Sequence, residues 1–285
     1  MKVAIIGANG QLGTDLLEIS SQHHEAIPLT HSEIEISDID NVSEVLADIH
    51  PDVVICTAAA HNVPKCELEP DVAFKINGIG SLNLAKVSNE LGFKLVQYST
   101  DYVFDGRKMN PYVESDPVYP QSVYAITKYA GEQLVMNYST KHFVVRVSGI
   151  YGKIPCRAKG GNFISTMVKL SKEKPEVRVV MDEILTPTPT KEIAKNTMAL
   201  IETDAYGLYH MTCEGEVSWY EFARTIFDIL HLETPLYEAS VKDFPAVVKR
   251  PFYSVLENAN LKKIGMNEMP HWKPALLTFL EENYK

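Results

Sequence analysis

Tyr124 and Lys128 stand four residues apart in the stretch SVYAITKYAGEQL, residues 122–134. The run reads as helix, and four residues is about one turn, so both side chains project from one face. A phenol beside an ammonium is either a surface pair without a role or an acid whose proton the positive neighbour makes mobile. Tyrosine has a free pKa near about 10, and a nearby Lys⁺ lowers it. Such an acid protonates a carbonyl oxygen as hydride reaches the carbon, while the lysine also holds the ribose of a nicotinamide. A third group belongs to this chemistry. Thr100, in YSTDYVFDG (98–106), closes a strand signal, where its hydroxyl can hold the same carbonyl oxygen, and Asp101 follows it. A lone Y-x-x-x-K arises often by chance, and threonine at a strand end is common. The three in order, behind a dinucleotide turn, are improbable by accident.

That turn is GANGQLG, residues 7–13, a G-x-x-G-x-x-G set between the first strand signal and the first helix signal. Glycines there let the chain turn tightly, let backbone N–H groups approach a pyrophosphate, and set the positive end of a helix against it. Gly7, Gly10, Gln11 and Leu12 are the candidate phosphate contacts. The end of the second strand ordinarily reads the cofactor's ribose, an acid favouring NAD and a base NADP. Here it carries His31, Ser32 and Glu33, and the preference between NADH and NADPH stays open. Asp38 and Ile39, just beyond, are within reach of the adenine.

The elements that must position these groups alternate regularly. KVAIIG (2–7) is a continuous apolar run that stops at glycine, as a buried parallel strand does. A helix over QLGTDLLEISSQ, a strand over EAIPLT (25–30), a helix over DNVSEVLADIH and a strand over DVVICTAAA (52–60) follow. Then come one long helix over 71–92, a strand over 93–100, the Tyr124 helix and a strand over 142–152. This alternation predicts an α/β fold: a Rossmann-like, doubly wound parallel sheet covered on both faces. The second half predicts helices over NFISTMVKLSKEK, TKEIAKNTMALIET and SWYEFARTIFDILH, the last with Ser218 as N-cap, and a strand over GLYHMTC. Pro235, Pro245, Pro251, Pro270 and Pro274 break up the remainder. The expected division is a dinucleotide-binding domain over residues 1–150, with some later segments returning to it, and a smaller mixed α/β substrate lobe mainly over 151–285.

The chain has 285 residues and a net charge of −10, from 27 basic and 37 acidic side chains. That balance argues against a nucleic-acid partner and a polybasic membrane anchor, both of which need a basic face. It leaves an anionic substrate open, because a few local cations outweigh distant net charge. Cys56, Cys66, Cys156 and Cys213 form no C-x-x-C pair, and no His/Cys cluster has zinc spacing, so free buried thiols are expected. Neither a signal-peptide core nor a membrane span is present in the pattern, and a cytoplasmic protein is expected. Trp219 and Trp272 are expected to pack. Arg250 either forks onto a diphosphate or makes a structural ion pair. Lys153, Arg157 and Lys159 form a small basic loop beside the predicted cleft.

With these motifs in order, the sequence resembles the extended short-chain dehydrogenases/reductases, and within them the dTDP-4-dehydrorhamnose reductases. GANGQLG, YSTDYVFDG, VYAITKYAGE, GNF (161–163), the PT at 187–188, SWYEFA (218–223) and RPFYS (250–254) all match that pattern. The resemblance implies Tyr124 as proton donor, Lys128 and Thr100 as its partners, and Asp101 on the substrate side. It implies Gly10, Gln11 and Leu12 at the phosphates, Ala59 and Ala60 in the loop past the third strand, and Tyr98 beside the cofactor. It also implies NADPH or NADH as cofactor, a nucleotide-linked sugar with a C4 ketone as substrate, and a possible homodimer. Some relatives bring Mg²⁺ to a dimer interface, but no ligand cluster here is assignable to it. The departures cluster on the sugar side: His61 and Pro64 in HNVPKCE, Gly149 in VSGIYG where an aromatic is usual, and Glu183 and Leu185 in DEIL. Losing an indole removes a large contact face. Two other readings follow from the same resemblance. One is a non-catalytic dinucleotide-binding subunit similar to the regulatory β-subunit of methionine adenosyltransferase. The other is an epimerase or dehydratase of the same fold.

Overall fold

The computed structural model of the chain describes residues 1–155, 160–244 and 248–284. The first half runs β1 (Lys2–Ile6), α1 (Gln11–Ser20), β2 (Glu25–Leu29), α2 (Ile39–Ile49), β3 (Val53–Cys56), α3 (Val63–Leu68), α4 (Pro70–Phe74), α5 (Gly80–Leu91), β4 (Lys94–Thr100), α6 (Val123–Tyr138) and β5 (His142–Val147). The second half runs β6 (Ile150–Tyr151), α7 (Phe163–Glu173), β7 (Val177–Val180), β8 (Ile184–Leu185), β9 (Thr188–Pro189), α8 (Thr190–Ile201), β10 (Gly207–His210), β11 (Val217–Ser218), α9 (Trp219–Leu230), β12 (Leu236–Ala239), α10 (Ala259–Lys263) and α11 (Trp272–Tyr284).

Six strands form one parallel sheet in the order β10-β5-β4-β3-β1-β2. Both faces are covered. On one, Leu12 and Leu16 of α1, Ile193 of α8, Phe222 of α9 and Phe279 of α11 pack on Val3, Val96 and Val145. On the other, Val42 and Leu46 of α2, Leu84 of α5 and Val135 of α6 pack on Ala4, Val54 and Leu95. Strands buried on both faces carry unbroken apolar runs, which is why KVAII and VVIC do not alternate. The order turns back on itself between β1 and β3, and ligands of such sheets lie there, beyond the carboxyl ends of the strands.

The second half is poorer in regular structure. Apart from β10, its strands form three two-stranded ladders, β6 with β9, β8 with β11 and β7 with β12. Ser218 caps α9 in a reciprocal pair: its hydroxyl accepts from the Glu221 N–H at 3.1 Å, and its own N–H donates to the Glu221 carboxylate at 3.2 Å. Trp219 and Trp272 both pack in the main core. Cys56, Cys66 and Cys213 are free and buried; Cys156, Arg157, Lys159 and Pro245 lie outside the described residues. Among the described residues, no helix is long and apolar enough to cross a membrane.

Two elements differ from the sequence expectation. The stretch 71–92 is interrupted by a π-helical turn over Lys75–Ile79, so α4 and α5 are separate pieces. The extra residue per turn there carries Asn77 inward, where it is 2% exposed. The prolines near the end break up less of the chain than expected. Pro274 falls in the first turn of α11, where its missing N–H had no helical partner to lose.

Candidate active site

The turn between β1 and α1 is shaped by two glycines. Gly7 has φ +80°, and a Cβ there would lie 2.5 Å from the Thr57 hydroxyl. A Cβ at Gly13 would lie 2.2 Å from the Gly7 carbonyl oxygen, so only glycine lets α1 sit this close to the turn. Gly10 is the N-cap of α1; no side chain caps the helix and its first turn holds no acid. The leading N–H groups, those of Gln11 and Leu12 among them, therefore face outward with the positive end of the helix dipole. Gln11 donates to the Ile150 carbonyl at 3.2 Å, while its Oε1 is buried without a partner. Open amides and an orphaned polar atom at a glycine turn fit the pyrophosphate of a dinucleotide.

Thr100 is the last residue of β4 and Tyr124 lies in the first turn of α6, so strand and helix bring their hydroxyls together at the carboxyl edge of the sheet. The N-terminus of α6 is held by two caps. The Ser122 hydroxyl accepts from the Ala125 N–H at 3.2 Å, and the Glu67 carboxylate accepts from the Val123 N–H at 2.7 Å. Burial pushes the Tyr124 phenol well up from its ordinary value; its hydrogen bond with Thr100 pulls it down, and Asp101 and Cys66 add to the rise. The Tyr102 ring meets the Tyr124 ring edge to face, with centroids 6.0 Å apart.

Lys128 shares the α6 face with Tyr124 but its ammonium is directed to the strand, donating to the Tyr98 carbonyl at 2.6 Å. Burial lowers its pKa, against Cys56 and Glu132. The ammonium thus points to the strand rather than into a hydrogen bond with the phenol. Tyr98 meets Lys128 through its backbone only: its phenol pairs with Thr197 of α8 at 2.7 Å, on the opposite face of the sheet.

Asp101, 4% exposed, accepts from Thr100 at 3.1 Å and from Ser148 at 2.8 Å. Burial raises its carboxyl, while Ser254, Ser148 and Thr100 oppose the rise as hydrogen-bond donors. Glu183 is also buried and also raised, chiefly by burial; Arg250 opposes this, and Asp182 and Asp101 add to it. Arg250 itself is exposed beside this cluster. Two of the sequence departures touch each other. Gly149 has φ +53°, and a Cβ there would lie 2.7 Å from Leu185 Cδ1. Pro64 occupies the first turn of α3, behind the N-cap Asn62.

Other candidates are placed as follows. Asp38 is exposed and caps α2, accepting from the Asp40 and Asn41 N–H groups, with Ile39 exposed beside it. Glu33 accepts from the Thr30 hydroxyl, from the Ser32 hydroxyl at 2.8 Å and from the Thr30 N–H at 2.7 Å, contacts that lower its carboxyl. Ala60 is clamped by Asn77, which accepts from its N–H and donates to its carbonyl, both at 2.9 Å. Asn77 also donates to Thr127 of α6 at 3.0 Å. Sequence reasoning missed Asn77 and Glu67; an N-G pair inside an otherwise helical pattern was the available signal for the first. No group of three or more His, Cys, Asp or Glu side chains that could hold a metal occurs among the described residues.

The model of the RmlD substrate binding domain family matches residues 1–285. The spore coat polysaccharide biosynthesis protein SpsK of Bacillus subtilis is 37% identical over 282 residues, covering 99% of this chain and 97% of that protein. The dTDP-4-dehydrorhamnose reductase of Aggregatibacter actinomycetemcomitans is 34% identical over 289 residues, covering 96% of this chain and 97% of that one. The crystal structure of dTDP-4-dehydrorhamnose reductase from Bacillus anthracis in complex with NADP superposes with a TM-score of 0.94 at 38% identity, covering 99% of this chain and 100% of that one. A glycine turn, a Thr–Tyr contact and a full-length match together identify this chain as a member of the RmlD family of extended short-chain dehydrogenases/reductases.

Proposed function

We propose that this protein is a nicotinamide-dependent reductase of the C4 ketone of a nucleotide-linked deoxysugar, with dTDP-4-dehydrorhamnose, reduced to dTDP-L-rhamnose, as the first candidate. The observation that carries this reading is that α6 sets Tyr124 and Lys128 against the carboxyl end of β4, where the Lys128 ammonium donates to the Tyr98 carbonyl at 2.6 Å and Thr100 closes the strand. That edge also presents the uncapped start of α1. Residues 1–150, with β10 returning to them, bind the dinucleotide, and residues 151–285 mainly receive the sugar.

A bound reduced nicotinamide supplies the hydride. Gln11 and Leu12 hold the pyrophosphate with backbone N–H groups, at a turn shaped by Gly7 and Gly10, whose own N–H groups donate to the Leu29 and Gly7 carbonyls. Asp38 and Ile39 flank the adenine, and Ala59 and Ala60 wall the loop beyond β3. The NADP complex of the B. anthracis relative favours NADPH. Thr100 holds the ketone oxygen and Tyr124 protonates it. Lys128, poised on the Tyr98 carbonyl, holds the ribose. Asp101 faces the sugar, and exposed Arg250 takes the diphosphate. A different sugar on the same chemistry is the second reading, favoured by the altered wall of Gly149 and Leu185 and by the similarity to SpsK.

The test follows NADPH and NADH absorbance with dTDP-4-dehydrorhamnose, for the wild type and for Tyr124→Phe. The variant should bind cofactor normally and lose at least about 100-fold in turnover, the usual scale of a general acid. Full turnover by the variant would remove Tyr124 from its role. Cofactor binding by the wild type with no turnover would favour another sugar nucleotide, or a regulatory subunit that a stable protein partner in a pull-down would reveal.

A further inference from the structure

The turn of α6 that bears Tyr124 is held by hydrogen bonds that start and end at one residue, Ala60. Asn77 accepts from the Ala60 N–H and donates to its carbonyl, and it donates also to the Thr127 hydroxyl at 3.0 Å. Thr127 in turn donates to the backbone carbonyl of Tyr124 at 2.8 Å. On the other side of the Tyr124 Cα, the Val123 N–H donates to the Glu67 carboxylate at 2.7 Å. Glu67 follows Cys66 on α3, and the Cys66 thiol donates back to the Ala60 carbonyl at 3.5 Å. The circuit closes where it began. Asn77, Thr127 and Cys66 are 2%, 0% and 3% exposed, so water competes little for its bonds.

We propose that Glu67 is a positioning residue for Tyr124. By accepting the Val123 N–H from α3, it closes a hydrogen-bonded circuit that fixes the acid relative to the cofactor wall at Ala60. This rests on the reading of the site as a ketone reductase. Glu67 acts through the backbone of α6 and not on the reacting atoms.

The physical reason lies in where each cap comes from. The first N–H groups of a helix have no partner within it. Val123 opens α6, and two caps serve its first turn. Ser122 belongs to the same stretch of chain, so its bond to the Ala125 N–H shapes the turn without anchoring it. Glu67 lies 56 residues away on α3, so its bond decides where the turn stands. A carboxylate is also the stronger cap, because the bond is charge-assisted and the positive end of the helix dipole favours an anion. Thr127 is the second anchor and holds the carbonyl of Tyr124 itself. One anchor leaves the turn free to pivot about it; two, on either side of the Tyr124 Cα and joined through Ala60, do not. A proton donor must stand within hydrogen-bond reach of the ketone oxygen, and a displacement of about 1 Å can cost about 100-fold in rate.

The kinetic test uses two variants. Glu67→Ala removes the acceptor, whereas Glu67→Gln keeps an acceptor oxygen and removes the charge. Glu67→Ala should lower kcat at least about tenfold, with KM for the sugar nucleotide and Kd for NADPH within about threefold of the wild type. Glu67→Gln should return kcat to within about threefold of the wild type. Wild-type kcat in Glu67→Ala, or an equal loss in Glu67→Gln, would overturn the proposal. Hydrogen exchange of the unliganded protein tests the circuit without turnover. In Glu67→Ala the amides of both Val123 and Ala60 should exchange at least about threefold faster than in the wild type. Faster exchange at Val123 with none at Ala60 would make Glu67 a local cap and overturn the circuit. Thr127→Val cuts the other anchor. Combined with Glu67→Ala it should cost far less than the product of the two single losses, because either cut opens the same circuit; the full product would mean two independent supports and overturn the circuit. If the wild type reduces no keto sugar, the functional reading fails separately, and the exchange at Ala60 alone decides whether Glu67 closes the circuit.

Discussion

Two buried cations on neighbouring elements are treated in opposite ways. Arg146 of β5 is closed on all sides. It makes a two-pronged contact with Glu132 of α6 at 2.9 and 2.7 Å, and its guanidinium lies 5.2 Å from the Phe104 ring centroid. Lys128, one turn earlier on α6 than Glu132, has a backbone carbonyl and no carboxylate in ion-pair range among the described residues. A saturated pair resists change and fixes the helix against the sheet. An unsaturated ammonium keeps donors to spare for a ligand. One turn of α6 therefore carries a saturated scaffold pair, and the turn before it an ammonium with open donors.

The contrast can be broken at either end. Lys128→Met should abolish most turnover, by at least about 100-fold, while changing stability by only about 1 kcal/mol, because a buried lysine costs desolvation as well as contributing a hydrogen bond. Kinetics and denaturant melts on the same sample check both halves. Arg146→Met should behave in reverse, losing about 3–5 kcal/mol of stability because Glu132 is left as an uncompensated buried charge. Adding Glu132→Leu to it should return most of that loss; a double variant as unstable as the single one would mean the pair is more than a matched charge.

The pair also sharpens a pH effect. His210 lies 3.4 Å from Arg146 and is pushed from 6.5 down to about 3, by burial first and then by that guanidinium. Its folded pKa lies below its unfolded one, so the unfolded state binds the extra proton between those values. Stability should fall by up to about 1.4 kcal/mol for each pH unit below about 6.5. His210→Gln should flatten that part of the stability–pH curve relative to the wild type. The smallest effect belongs to the sugar wall. Leu185→Ala, which empties the space beside Gly149, should shift KM for the sugar nucleotide several-fold, with kcat nearly unchanged.

The regular half of the molecule was legible because its signals are local. An apolar run, a glycine turn and a helical repeat each predict their own conformation, so β1, the phosphate turn, the end of β4 at Thr100 and the face of α6 all stand where the pattern places them. The second half was less legible because its strands are two to four residues long and take their register from partners far away in the chain. β8 pairs with β11, and β7 with β12. Asn77 was hidden for a related reason: a π turn inside a helix leaves the hydrophobic pattern almost intact while redirecting one side chain.

By itself the sequence determined which groups could react, since Tyr124 and Lys128 are neighbours on any helix and Thr100 ends any strand built from FKLVQYST. Only the tertiary structure decided what those groups face. It placed Thr100 rather than Lys128 against the Tyr124 phenol, turned the Lys128 ammonium onto a strand carbonyl, and set Asp101 in a ring of hydroxyls. Spacing along a helix specifies direction, but the partner that a side chain meets, and hence the state of its proton, depends on what the rest of the fold brings to that point and how much water it removes.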